Sequence, residues 1–130
     1  MSILDYNLDT IPEESILPQG EYEVKILSAK SKDSKAGKPM LEIALGFPGE
    51  PDARSCFHYI TLPADGDEEK TINGKLRRLK GFYEAFGIDY SGGPVDMDNT
   101  VGETAYAIIT EEEDEQYGNS NRIKRFMARK

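Results

Sequence analysis

The chain has 130 residues, 38% hydrophobic and 31% charged, with 16 Lys and Arg against 24 Asp and Glu for a net charge of −8. That length and balance predict one globular domain, and no apolar run approaches the roughly 20 residues a membrane-spanning helix needs. The charge disfavours diffuse attraction to DNA or anionic membranes but leaves room for a local basic groove.

Residues 1–18 hold Ile3, Leu4, Tyr6, Leu8, Ile11, Ile16 and Leu17 among acids, with Pro12 and Pro18 as breakers. They are expected to form an extended arm that lies on the body or on a neighbouring subunit, which would make a homo-oligomer. The N-terminus lacks the basic and apolar regions of a signal peptide. From residue 19 to 130 the pattern is that of one domain. Tyr22, Val24 and Ile26 alternate with Glu21, Glu23 and Lys25 as in a half-buried strand. Ser31 to Lys38 is polar, contains Gly37, and reads as a hairpin loop. Leu41, Ile43, Leu45 and Phe47 form the returning strand, and Cys56 to Leu62 a third, rich in aromatic and β-branched types. Ile72, Leu76, Leu79, Phe82, Tyr83 and Phe86 then recur at helical spacing, with Gly87 as a stop. A fourth strand is expected over Val101 to Thr110, an acidic loop over 111–115, and a short fifth strand over Asn121 to Met127. The predicted fold is mainly β: five strands with one helix between the third and fourth, the order of an OB-fold barrel, plus the N-terminal arm.

The charges are sorted into blocks. Residues 1–23 carry six acids and no base, and residues 82–119 carry ten acids and no base. Basic residues cluster instead at Lys30, Lys32, Lys35 and Lys38, at Lys70, Lys75, Arg77, Arg78 and Lys80, and at Arg122, Lys124, Arg125, Arg129 and Lys130. Brought together by the fold, such blocks would make a polyanion-binding surface on an acidic protein.

Several segments resemble phage-encoded single-stranded DNA-binding proteins first grouped as a domain of unknown function. They are Leu17-Pro18-Gln19-Gly20-Glu21-Tyr22-Glu23-Val24-Lys25-Ile26, Ser34-Lys35-Ala36-Gly37-Lys38-Pro39-Met40-Leu41-Glu42-Ile43, Phe57-His58-Tyr59-Ile60-Thr61-Leu62, and Asn121-Arg122-Ile123-Lys124-Arg125-Phe126. The resemblance covers most of residues 17–127. It implies an OB-fold and sequence-tolerant binding of single-stranded DNA during phage replication or recombination. Phage or host replication and recombination proteins would be partners, in the cytoplasm of an infected bacterium. Bacterial and some other phage single-strand binders end in an acidic tail, whereas this chain ends Met127-Ala128-Arg129-Lys130, so recruitment by such a tail is not expected.

Single-strand binding without base readout needs cations along the backbone path and flat rings on which bases stack. Lys30, Lys32, Lys35 and Lys38 suit a phosphate clasp on the hairpin, against the plain reading of a solvated turn. Arg54 precedes the third strand. Arg122 and Lys124 would share one strand face and Arg125 the other; the plain reading is a charged edge that discourages aggregation. Phe57, Tyr59 and Tyr106 are the candidate stacking rings. Phe57 and Tyr59 share a face opposite Cys56, His58, Ile60 and Leu62. Ile60 and Leu62 suit the interior better than Thr61, so Tyr59 is expected to face outward unless a bulge breaks the parity. The basic helix face could extend the path, meet a neighbouring copy, or be solvated.

Little supports catalysis. There is one His and one Cys, and the acidic run lacks calcium-loop spacing. His58 reads as structural rather than a metal ligand, and Cys56 as a small core residue suited to a reducing cytoplasm. No enzyme, metal or cofactor is expected. A virion or tail assembly barrel without nucleic-acid binding is the alternative reading, and an acidic DNA mimic a weaker one.

Overall fold

The computed structural model describes residues 2–113, 115–116 and 118–127. Arg129, Lys130 and Asp114 of the acidic run lie outside them. Five strands, β1 (Gly20–Asp33), β2 (Pro39–Gly46), β3 (Cys56–Thr61), β4 (Thr104–Glu112) and β5 (Ser120–Phe126), form one antiparallel sheet in the order β3-β2-β1-β4-β5. One α-helix, α1 (Glu69–Phe86), falls between β3 and β4, as predicted. No described helix is long and apolar enough to cross a membrane.

The sheet bends because β1 is shared. Gly20 to Lys25 pair with β4, and Lys25 to Asp33 pair with β2. A bulge at Leu27 separates the two halves. The extra residue reverses the face alternation, so Val24 and Ile26 point inward before it and Ala29 after it. Leu27 is thereby turned out over Gly46, where a Cβ would stand 3.2 Å from its methyl carbons. A side chain at Gly46 would make the half-exposed Leu27 side chain give by a few tenths of an ångström.

One face of the sheet is packed with Val24, Ile26, Leu41, Ile43, Leu45, Cys56, Ile60, Ala107 and Ile109, each 5% exposed or less. Helix α1 covers it with Phe82 and Phe86, whose rings lie 5.0 Å apart and reach Phe126 of β5 at 6.0 and 5.3 Å. Gly87 ends the helix at φ 69°, with its N–H and that of Ile88 donating back to Glu84 and Tyr83.

The two edge strands are turned toward each other, and His58 of β3 meets Phe126 of β5 edge to face at 5.2 Å. Among the described residues no strand pairing joins them, so the sheet is open rather than a closed barrel. The base of the arm spans one end of that gap. Ser15 N–H donates to Asp52 O (2.8 Å) and Arg54 N–H to Ser15 O (3.0 Å), beside β3. Two residues on, the buried Asn121 of β5 accepts from Leu17 N–H and donates to Leu17 O, both at 2.9 Å. The side chain of Asn121 replaces a strand partner for Leu17, which is why a polar group tolerates 5% exposure.

The boundaries differ from expectation in three places. β1 continues through Ser31, Lys32 and Asp33, leaving a turn of only five residues, 34–38. β4 begins at Thr104, because Gly102 turns the chain at φ 95°, and runs on through Glu111 and Glu112 of the acidic run. The arm is not extended throughout, because Leu8–Thr10 form a 3-10 turn in which Asn7 Oδ1 accepts from Asp9 N–H at 3.2 Å.

Candidate nucleic-acid interface

Strand β3 has no bulge against β2, so its faces alternate strictly. Cys56 and Ile60 are buried at 4% and 3%, while Phe57 and Tyr59 are 51% and 49% exposed. Both rings therefore stand on the outer face of an edge strand, two residues or roughly 7 Å apart along it. His58 is half-buried between them on the inner side, and burial pulls its pKa below the usual imidazole value.

Across the gap, β5 supplies the cations. Opposite β4, Arg122 pairs with Thr110 and Arg125 with Ile108, and the extra residue between those pairs is Lys124. This bulge overturns the expected parity. Arg122 and Arg125, rather than Arg122 and Lys124, take the positions facing outward with Thr110 and Ile108. Arg122 holds an ion pair to Glu112. Lys124 and Arg125 are exposed and form no ion pair among the described residues.

Two clefts run along the gap, and Tyr59 lines both. One, of about 710 Å³, lies between Arg54, Phe57 and Tyr59 on one wall and Asn121 and Arg122 on the other. The second, of about 440 Å³, lies between His58, Tyr59 and Thr61, the Lys124–Phe126 stretch, and Arg78 and Gly81 of α1. Six of the eleven residues singled out from the sequence, Arg54, Phe57, Tyr59, Arg122, Lys124 and Arg125, thus line one path between β3 and β5.

The other five do not line it. Lys30 and Lys32 sit on β1, two strands inward, where both reach Glu42 of β2 at 3.7 and 2.6 Å. Hydrogen bonding to Lys32 holds the Glu42 carboxyl below its usual pKa and raises that of Lys32. Two cations on one carboxylate leave about one charge for a phosphate. Glu42 is cross-strand from Tyr59, so this group borders the ring without entering the gap. Lys35 and Lys38 are exposed in the turn just beyond the Thr61 end of β3, where Leu62 N–H donates to Pro39 O at 3.1 Å. Tyr106 is 54% exposed on the outer face of β4, but its neighbour on β1 is Glu23, an acid.

Sequence reasoning left the helix bases undivided, and the structure separates them. Lys75 is structural: with Asp67 it forms a 2.7 Å pair in which both side chains are about 15% exposed, and Asp67 also accepts from Ala64 N–H at 2.8 Å. Lys80 pairs with Glu84 at 3.9 Å. Arg78 lines the second cleft. Its spacing carried the signal, because positions 78, 82 and 86 share one helical stripe with the two buried phenylalanines. Asn121 was also missed as a buried clasp.

The thiol of Cys56 is pushed up to about 11 by burial, which makes it a poor nucleophile. Among the described residues no group of three or more His, Cys, Asp and Glu side chains could hold a metal ion. The chemistry present is that of a cationic path with two exposed rings.

A family model described as a protein of unknown function (DUF669) matches residues 5–127. No curated protein matches the chain at a significant level.

Proposed function

We propose that this chain, which belongs to the DUF669 family of proteins of unknown function, binds single-stranded DNA without base readout in phage DNA replication or recombination. The observation that carries the reading is the gap itself. Phe57 and Tyr59 on one edge strand face Arg122, Lys124 and Arg125 on the other, with Arg54 and Arg78 near its two ends. Rings stack on bases of any sequence, and cations track the phosphates. A double helix presents its bases only at the groove edges, so exposed rings on a strand favour unpaired bases. A net charge of −8 spread elsewhere reduces binding away from the path.

Support for an OB-type kinship comes from the order β1-β2-β3-α1-β4-β5, the facing of β3 and β5, and the resemblance of the hairpin and terminal-strand segments. The OB-fold is a partly open five-stranded barrel that carries oligonucleotides on its strand 2–3 face. Phosphate contact requires Arg122 and Arg54 to exchange Glu112 and Glu14 for phosphate, whereas Arg78, Lys124 and Arg125 are free of ion pairs among the described residues. The test is a fluorescence-anisotropy titration of labelled oligo-dT and a duplex of equal length. Saturable binding preferring the single strand is expected; equal or absent binding refutes the proposal.

A further inference from the structure

The N-terminal arm is used by nothing in the proposed interface. Residues 2–14 contain Asp5, Asp9, Glu13 and Glu14 and no base. Ile3, Leu4, Tyr6, Leu8 and Ile11 are 63–82% exposed, more than any other large apolar side chain described. Leu4 and Tyr6 alternate with Asp5 and Asn7 in extended chain, and the 3-10 turn Leu8–Thr10 adds exposed Leu8 and Asp9, so the arm carries apolar and acidic side chains together. Soluble monomers rarely expose such a contiguous apolar segment without a partner for it.

The cleft offers the complement, with two half-exposed rings beside unpaired cations. The last acid of the arm already illustrates the match, because Glu14 accepts from Arg54 Nε at 3.1 Å at the mouth of the larger cleft. Residues 15–17 are hydrogen-bonded to both walls there, which fixes the root of the arm. Beyond that root, none of residues 2–13 lines either cleft of its own chain. Twelve residues, three of them in the 3-10 turn Leu8–Thr10, reach up to ~35 Å, against a radius of gyration of ~14 Å for a domain of this length. The arm therefore spans easily to a neighbour.

We propose that the arm of one copy docks in the β3–β5 cleft of a second copy of this chain. Its apolar side chains lie on Phe57 and Tyr59 and its carboxylates face Lys124 and Arg125. The docking rests on charge and exposure alone; its competition with single-stranded DNA rests on the function proposed above. By linkage, saturating either ligand weakens the other by the same factor.

Sedimentation velocity on the full chain at low and high salt tests this, with L4S/Y6S/L8S and K124E/R125E as variants. All five sites are exposed, so the fold is retained, and far-UV circular dichroism verifies it. Concentration-dependent association in the wild type is expected, weakened by salt and by roughly tenfold or more in each variant, and dissolved by saturating oligo-dT. D5K/D9K repeats the arm test without touching apolar residues. A wild type that stays monomeric, or association indifferent to the arm variants, overturns the proposal. Association that needs both arm and cleft but ignores an oligo-dT that fails to bind keeps the docking and refutes the nucleic-acid reading.

Discussion

Tyr59 and Ile60 are neighbours on one strand with opposite fates, and truncating each separates binding from folding. Tyr59 is 49% exposed and Ile60 is 3% exposed. A tyrosine offers about 200 Å² to burial. Half of that at ~25 cal/mol per Å² is about 2.5 kcal/mol, an upper bound for the stability lost in Tyr59→Ala because the unfolded chain already hides some surface. Loss of a base stack costs a further ~1–3 kcal/mol of binding, or roughly 5- to 150-fold in Kd. Ile60→Ala removes buried methylenes from the core and costs about 2–5 kcal/mol of stability, with Kd unchanged within about twofold when measured well below its Tm. Tyr59→Phe keeps the ring and is expected to bind like the wild type. The assays are urea unfolding followed by tyrosine fluorescence, and anisotropy with labelled oligo-dT. If Tyr59→Ala bound as tightly as wild type, or Ile60→Ala lost affinity to the same degree while folded, β3 would not present a stacking surface.

Asn121→Ala strips the paired hydrogen bonds from the backbone of buried Leu17 and is expected to cost about 2–4 kcal/mol, lowering Tm by roughly 8–15 °C for a domain of this size. A fall under ~3 °C in a thermal melt would show that water or a relaxed strand replaces the clasp. His58 is the single histidine, and burial lowers its pKa from 6.5. The unfolded chain therefore binds the proton more tightly, and stability should fall as pH drops through about 6.5 toward the lower folded value. Urea midpoints at pH ~7.5 and ~5.5 should differ in the wild type and converge in His58→Phe, while carboxylates such as Glu42 act only at lower pH. Native Cys56 should resist a thiol reagent at mildly alkaline pH and react only on unfolding, since its thiol titrates near 11; prompt native labelling would place it outside the core.

Element order was legible because hydrophobic periodicity is local. Alternation in Cys56–Thr61 split β3 into two faces without naming the core, a choice tipped only by Ile60 and Leu62 against Thr61, and the 72–86 stripe revealed the helix. Parity failed on β5, where the bulge at Lys124 is set by pairing with Ile108 and Ile109 rather than by residue type. The same limit hid the corner at Leu27. Charge blocks were visible, but their value depended on partners distant in sequence: Glu42 takes up Lys30 and Lys32, Asp67 takes up Lys75, and Arg78 is left facing the gap. Asn121 looks like an ordinary strand residue until Leu17, 104 positions earlier, is placed beside it.

The central claim is that the gap between β3 and β5 is an electrostatic path for a single strand, and the salt dependence of oligo-dT affinity measures that path directly. With about four to six phosphates neutralised at roughly 0.7 per contact, the slope of log K against log salt should lie near −3 to −4, and Arg122→Ala with Arg125→Ala should reduce its magnitude by about 1.4. A flat salt response in the wild type, or an unchanged slope and affinity in the folded double variant, would contradict the account.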